Sequence, residues 1–285
     1  ALEVLHIQMD FCDLYQRPQF CRDLSTSLPN LSTLSLTMAA QNSRGILDGT
    51  IHLPRLRALF LTFTAFGLAE STLSLWDLPS LCFVSLFLPI GSRNVRPVKT
   101  VPGFVVKFLQ RYGGQIEGLR IFPGQWTNTE RQLTIPMNEV EEAELWSSLV
   151  ALRLFSTDFT RFPLDTLPSS TIDFFARIQH LWQKGKSAPN DYLDGVTAVV
   201  NICPNLQTLR FDREGERVLG PTWSPLHSQN SRKLRKICED RQITLLGPPE
   251  ETILGKMGSG YKKELRARKE SPGETRYIVN YLYGS

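Results

Sequence analysis

Residues 28–36 read LPNLSTLSL, with leucines at 28, 31, 34 and 36. That spacing fits neither the apolar stripe of a helix nor the alternation of a half-buried strand. It recurs, however. With apolar residues at positions 1, 4 and 6 of a unit, copies fall at Leu2/Leu5/Ile7, Leu31/Leu34/Leu36, Leu56/Leu59/Leu61 and Leu81/Val84/Leu86. The series continues at Ile116/Leu119/Ile121, Leu149/Leu152/Leu154 and Leu206/Leu209/Phe211. Four copies are introduced by LPNL, LPRL, LPSL or CPNL, where the proline ends any preceding helix and holds the chain extended as it turns into a strand.

The first residues of successive copies are 29, 25, 25, 35, 33 and 57 apart. These intervals bracket the roughly 20 to 29 residues of a leucine-rich repeat, with insertions later in the chain. Positions 4 and 6 lie two apart on a short strand and point to one side, so each unit has one apolar edge that it cannot bury alone. Stacked units bury it jointly. The expected fold is therefore α/β: an irregular leucine-rich-repeat solenoid with a curved parallel sheet on its concave face and helices and loops on its convex face. About seven to nine repeats are expected over 1–254, with a basic, flexible tail over 255–285.

Several returning segments read as helices. VPGFVVKFLQRYGG sets Phe104, Phe108 and Leu109 near one face and stops at Gly113; NEVEEAELWSSL sets Val140, Leu145 and Trp146 against glutamates. LDGVTAVVNICPNL carries a short helix, and SRKLRKICEDRQITLLG a basic helix before a final strand at 242–246. The 57-residue interval is close to twice 28, which predicts a degenerate copy between Phe155 and Asp191. Within it, 171–183 fits a helix stripe (Phe174, Phe175, Ile178, Leu181, Trp182) or a strand (Phe174, Ala176, Ile178), and the spacing favours the strand.

FVVKFLQRYGGQIEGLRIF and CPNLQTLRF are the stretches most similar to the repeat region of F-box-like proteins of mushroom-forming fungi, a resemblance that covers residues 2–246. It implies an intracellular (cytoplasmic or nuclear) substrate-recognition region of a ubiquitin ligase receptor, which would meet the ligase adaptor only through an F-box. No F-box is present in these residues, so no adaptor-binding residue carries over. The asparagine or cysteine expected three residues after the last leucine of the unit is replaced by Asp10, Ala39 and Thr64. The chain also starts inside a unit, with Leu2, Leu5 and Ile7 needing cover, and this predicts a preceding segment.

Composition narrows the function classes. Hydrophobic residues make up 41% of 285 and charged ones 21%, so the chain can bury a large core. The net charge is +4, and residues 256–285 carry seven basic against three acidic side chains, which accounts for the whole excess. The remainder is nearly neutral, against a broad nucleic-acid footprint. Five cysteines without a CxxC pair point to buried thiols in a reducing compartment. The longest uncharged apolar stretch, 78–92, contains Pro79 and Pro89 and is too short for a membrane span. His6, His52, His180 and His227 are scattered, no GxSxG or phosphate-binding glycine loop occurs, and Glu139, Glu141, Glu142 and Glu144 read as the wet face of a helix. Neither enzyme, metal site nor cofactor is expected.

What remains is the outward-facing residues of the strands. Position 7 reads Gln8, Thr37, Thr62, Phe87, Phe122, Phe155 and Asp212; position 5 reads His6, Ser35, Phe60, Ser85, Arg120, Arg153 and Arg210. Aromatic and arginine side chains are those that protein-binding hot spots use. Phe60, Phe87, Phe122, Phe155, Arg120, Arg153 and Arg210 are thus the expected partner-binding residues, their partner an apolar and acidic segment of another protein. The rival reading is that the phenylalanines are buried as a second small core. A structural scaffold, or a nucleic-acid-associated repeat protein using the basic tail, is the alternative function.

Overall fold

The computed structural model describes residues 2–9, 17–38, 50–63, 73, 76–88, 103–123, 139–157, 169–183, 189–211 and 225–246. The tail expected over 255–285, and positions 10, 39 and 64, lie outside them.

The protein is α/β, built on a nine-stranded parallel sheet. In chain order the elements are β1 (Val4–Met9), α1 (Arg17–Ser27), β2 (Thr33–Met38), β3 (Ile51–His52), β4 (Ala58–Phe63), β5 (Trp76–Asp77) and β6 (Phe83–Leu88). There follow α2 (Gly103–Tyr112), β7 (Gly118–Pro123), α3 (Glu139–Ser148), β8 (Leu154–Thr157), α4 (Ser169–Arg177) and β9 (His180–Gln183). The last are α5 (Pro189–Ile202), β10 (Thr208–Phe211), α6 (Pro225–Asp240) and β11 (Thr244–Leu246). The strands lie side by side as β1-β2-β4-β6-β7-β8-β9-β10-β11, so each main strand pairs with the next one made; β3 and β5 pair separately.

Two backbone devices repeat the register. The first is a turn: the N–H of Leu31, Leu56, Leu81, Leu152, Ile178 and Leu206 donates to the carbonyl three residues earlier, at Leu28, Leu53, Leu78, Leu149, Phe175 and Cys203. Proline at the second position of such a turn has its φ preset, which is the physical content of LPNL, LPRL, LPSL and CPNL. The second is a shared acceptor. The carbonyls of Glu3, Ser32, Arg57, Cys82, Glu117, Arg153 and Gln179 each take two N–H groups from the start of the next strand.

These hydrogen bonds correct the sixth copy. Leu149 opens a turn, as Leu28 and Leu53 do, and Leu152 closes it. The unit therefore begins at Leu152, and Leu119 pairs with Phe155 rather than with Leu152. The degenerate copy lies where the 57-residue interval puts it, as β9 between β8 and β10. The strand favoured over 171–183 is corrected too: Ser169–Arg177 is helix α4 and only His180–Gln183 is strand. Four strand residues need far less sequence than the spacing argument allowed, leaving room for both.

The main core lies between the sheet and the helices. Row 4 of the sheet, aligned by pairing, is Leu5, Leu34, Leu59, Val84, Leu119, Phe155, Leu181, Leu209 and Leu245. It packs in one cluster with Phe108 and Leu109 of α2, Trp146 of α3, Phe174 and Phe175 of α4, Val196 and Val199 of α5 and Leu234 of α6. Trp146, Phe155 and Phe174 meet at 4.5 to 6.0 Å between ring centres. From α2 onward each helix packs on the next.

Side chains bind neighbouring layers. Arg177 donates to the Trp146 carbonyl at 3.0 Å, Asn205 to Ala176 at 2.7 Å and Gln115 to Leu78 at 2.9 Å. Arg241 donates to the carbonyls of Val200 and Cys203 at the end of α5, satisfying acceptors that a helix leaves open. Gly113, expected as a helix stop, does follow α2, but close approach is what requires glycine there. A Cβ would sit 2.5 Å from the Ser148 carbonyl oxygen at the end of α3.

Cys203 and Cys238 are buried free thiols, and Cys82 is buried with its thiol donating to the Arg57 carbonyl at 3.1 Å. Burial pushes the Cys203 thiol up to about 12 and Cys238 to about 11, against a smaller opposing pull from Arg241.

Candidate functional site

Alternate residues of each strand leave the helix side. Row 3 is Val4, Thr33, Ala58, Phe83, Gly118, Leu154, His180, Thr208 and Thr244; row 5 is His6, Ser35, Phe60, Ser85, Arg120, Ser156, Trp182, Arg210 and Leu246. Ala58, Phe60, Phe83, Leu154 and Trp182 form a buried cluster separate from the main core. This second face is therefore not uniformly wet. Phe60 is 1% exposed and stacks at 5.5 Å on Phe83, which is fully buried. For Phe60 the expected open patch is corrected to the rival reading, a second small core.

The expected row of three consecutive arginines is also corrected. Because the sixth copy begins at Leu152, Phe155 occupies row 4 and lies in the main core at 1% exposure, against Trp146 and Phe174. Arg153 stands before β8, exposed, and its carbonyl accepts from Gln179 and His180. The row instead reads Arg120, Ser156, Trp182, Arg210. Phe87 and Phe122 pair directly across β6 and β7; their side chains lie outside the described part.

Trp182 is the residue that the sequence reading missed on this face: it entered only the helix alternative for 171–183, and the favoured strand alternation stopped at Ile178. The signal was present in FARI, residues 175–178, which matches LPNL in its spacing of apolar ends and closes the same turn. Counting four residues on from Ile178 gives Trp182 as the row 5 residue, as Phe60 is counted from Leu56.

The Arg120 guanidinium lies 4.4 Å from the Trp182 ring centre and Arg210 lies 5.9 Å from it. Arg120 is fully buried, whereas Arg210 is half-buried. A guanidinium over an indole face is attracted by the ring quadrupole, by about 2 kcal/mol once desolvated. The Ser156 hydroxyl donates to the Trp182 carbonyl at 3.0 Å, which braces the strand carrying the indole. One row over, His180 Nδ1 is 3.0 Å from the Thr208 hydroxyl. Burial holds the His180 imidazole below its ordinary value, and the nearby Arg153 charge adds to the effect. His180 is thus neutral at pH 7, so the fixed charge of the region is that of its arginines.

Among the described residues no group of three His, Cys, Asp or Glu side chains could hold a metal ion. None of their helices is long and apolar enough to cross a membrane. No protein-family model matches this chain, and no curated protein matches it.

Proposed function

We propose that the protein is a leucine-rich-repeat solenoid acting as a non-catalytic recognition module. It holds a protein partner against the sheet face opposite the helices, as the substrate-recognition region of an F-box-type ubiquitin ligase receptor. One observation carries this reading. Row 5 runs in unbroken register across nine strands, yet its residues are mixed: three serines, two arginines and one each of histidine, phenylalanine, tryptophan and leucine. Stacking requires the leucines of the opposite face and makes no such demand here. Arginine and tryptophan are also the side chains that most often dominate protein interfaces. The sequence resemblance to F-box-like proteins supports the ligase assignment.

The experiment is a comparison of protein half-lives in source cells carrying the wild-type chain, a deletion, or Arg210→Gln. A small common set of proteins should persist longer in both altered strains. Unchanged half-lives throughout would overturn the ligase reading.

A further inference from the structure

The helix side of the molecule carries one concentrated patch of charge. Helix α6 holds Arg232, Lys233, Arg235 and Lys236, four cations within five residues, whereas no other described helix has more than two. With 3.6 residues per turn the four fall on one arc of the helix, and all four are exposed. The opposite arc is committed to the core: Leu234 and Cys238 are buried in the main cluster and Ile237 packs against it. The helix is therefore fixed, with its cations held outward. Among the described residues no carboxylate lies within ion-pairing distance of Arg232, Lys233 or Lys236. Glu239 and Asp240 follow in the last turn, so the helix carries four basic against two acidic side chains, a net of +2.

We infer that this outward face of α6 binds the phosphate backbone of a double-stranded nucleic acid. It is a local contact made by one helix, separate from the sheet face and from the function proposed above. Charge density decides the partner. Arg232 to Lys236 span four residues, about 6 Å along the helix axis. A duplex carries one negative charge per about 1.7 Å of its axis, so the same length presents about three to four charges. That matches the four cations. An extended peptide advances about 3.3 Å per residue and points alternate side chains away. Even an unbroken acidic run would thus set about one carboxylate against the patch. An anionic membrane surface is a weaker fit as well. A helix that lies in a bilayer surface buries its apolar side there, and the apolar side of α6 is already packed in the core. Contacts of lysine and arginine with phosphates position a duplex without reading its sequence.

The test is fluorescence anisotropy of labelled duplexes, DNA in one arm and RNA in the other, titrated with the intact chain at a series of salt concentrations. Each phosphate contact adds about 0.9 to the slope of log affinity against log salt. Three contacts would cost the wild-type chain about fortyfold in affinity between about 50 and about 200 mM salt. Combining Arg232→Gln, Lys233→Gln and Lys236→Gln should flatten the slope by about 2.7. Lys107→Gln, which removes an exposed cation of α2, should leave the slope as it is. Thermal melting of each variant separates lost binding from lost folding. Binding of neither duplex, or a slope unchanged in the triple variant, would overturn the inference. Tighter binding of a polyglutamate peptide or of anionic lipid vesicles than of either duplex, lost in the triple variant, would overturn it in favour of that partner.

Discussion

On the helix side of the sheet, row 4 is seven leucines, a valine and a phenylalanine; on the opposite side, row 5 has six residue types in nine positions. The helix side must fill the same space in every layer, so its residues are interchangeable apolar shapes. The opposite side is fixed only by its neighbours across the strands. Ala58, Phe60, Phe83, Leu154 and Trp182 are closed off there as a small core, with Arg120 buried over the Trp182 ring and Arg210 half-buried beside it. Regularity thus marks the side that stacks on the helices, while the opposite side varies from layer to layer.

The largest expected effect tests the helix side. Phe155→Ala empties the space among Trp146, Phe174 and Phe175 and should lower unfolding stability by about 3–5 kcal/mol in denaturant titration. A loss no greater than for a surface residue would return Phe155 to the exposed row. Gly113→Ala should come next. Its Cβ would collide with backbone, the Ser148 carbonyl, so α2 and α3 must move apart at about 1–3 kcal/mol, read from the same titration.

Smaller effects test the opposite side. The folded state holds His180 below its ordinary value of 6.5, so the unfolded chain takes up the proton first as pH falls. The stability linked to His180 is therefore complete above pH 6.5 and declines below it, until the folded-state value is reached. His180→Asn should flatten this part of the melting-temperature profile between neutral and mildly acidic pH, and an unaltered slope would place the titration elsewhere. Arg153→Ala should shift stability least, within about 0.5 kcal/mol, as for other exposed side chains. A loss comparable to that of Phe155→Ala would mean that Arg153 belongs to the core framework.

Much of the fold was legible because its units repeat. The triplets of the first five copies and Leu206/Leu209/Phe211 all fall in strands or their lead-ins, and the long interval contains the strand expected of it. The sixth copy was misplaced because LVAL, residues 149–152, makes the same turn as LPNL without its proline, while Leu149, Leu152 and Leu154 offered a false triplet. Helix α4 was passed over because residues 171–183 satisfy both a helix stripe and a period of two, and the repeat spacing, which called for a strand there, was left to decide.

The candidate site was less legible. A three-residue slip in a strand reverses the face of every side chain after it, and this slip placed Phe155 outside, while Trp182 was missed separately because the favoured strand alternation over 171–183 stopped at Ile178. The sequence by itself determined the parallel α/β repeat, because each unit's apolar edge can be buried only by another such unit. Tertiary structure decided which outward residues meet and which are buried, since that depends on register between strands far apart in the chain. Arg120, Trp182 and Arg210 are 62 and 28 residues apart in sequence, and only pairing through β8, β9 and β10 brings them side by side.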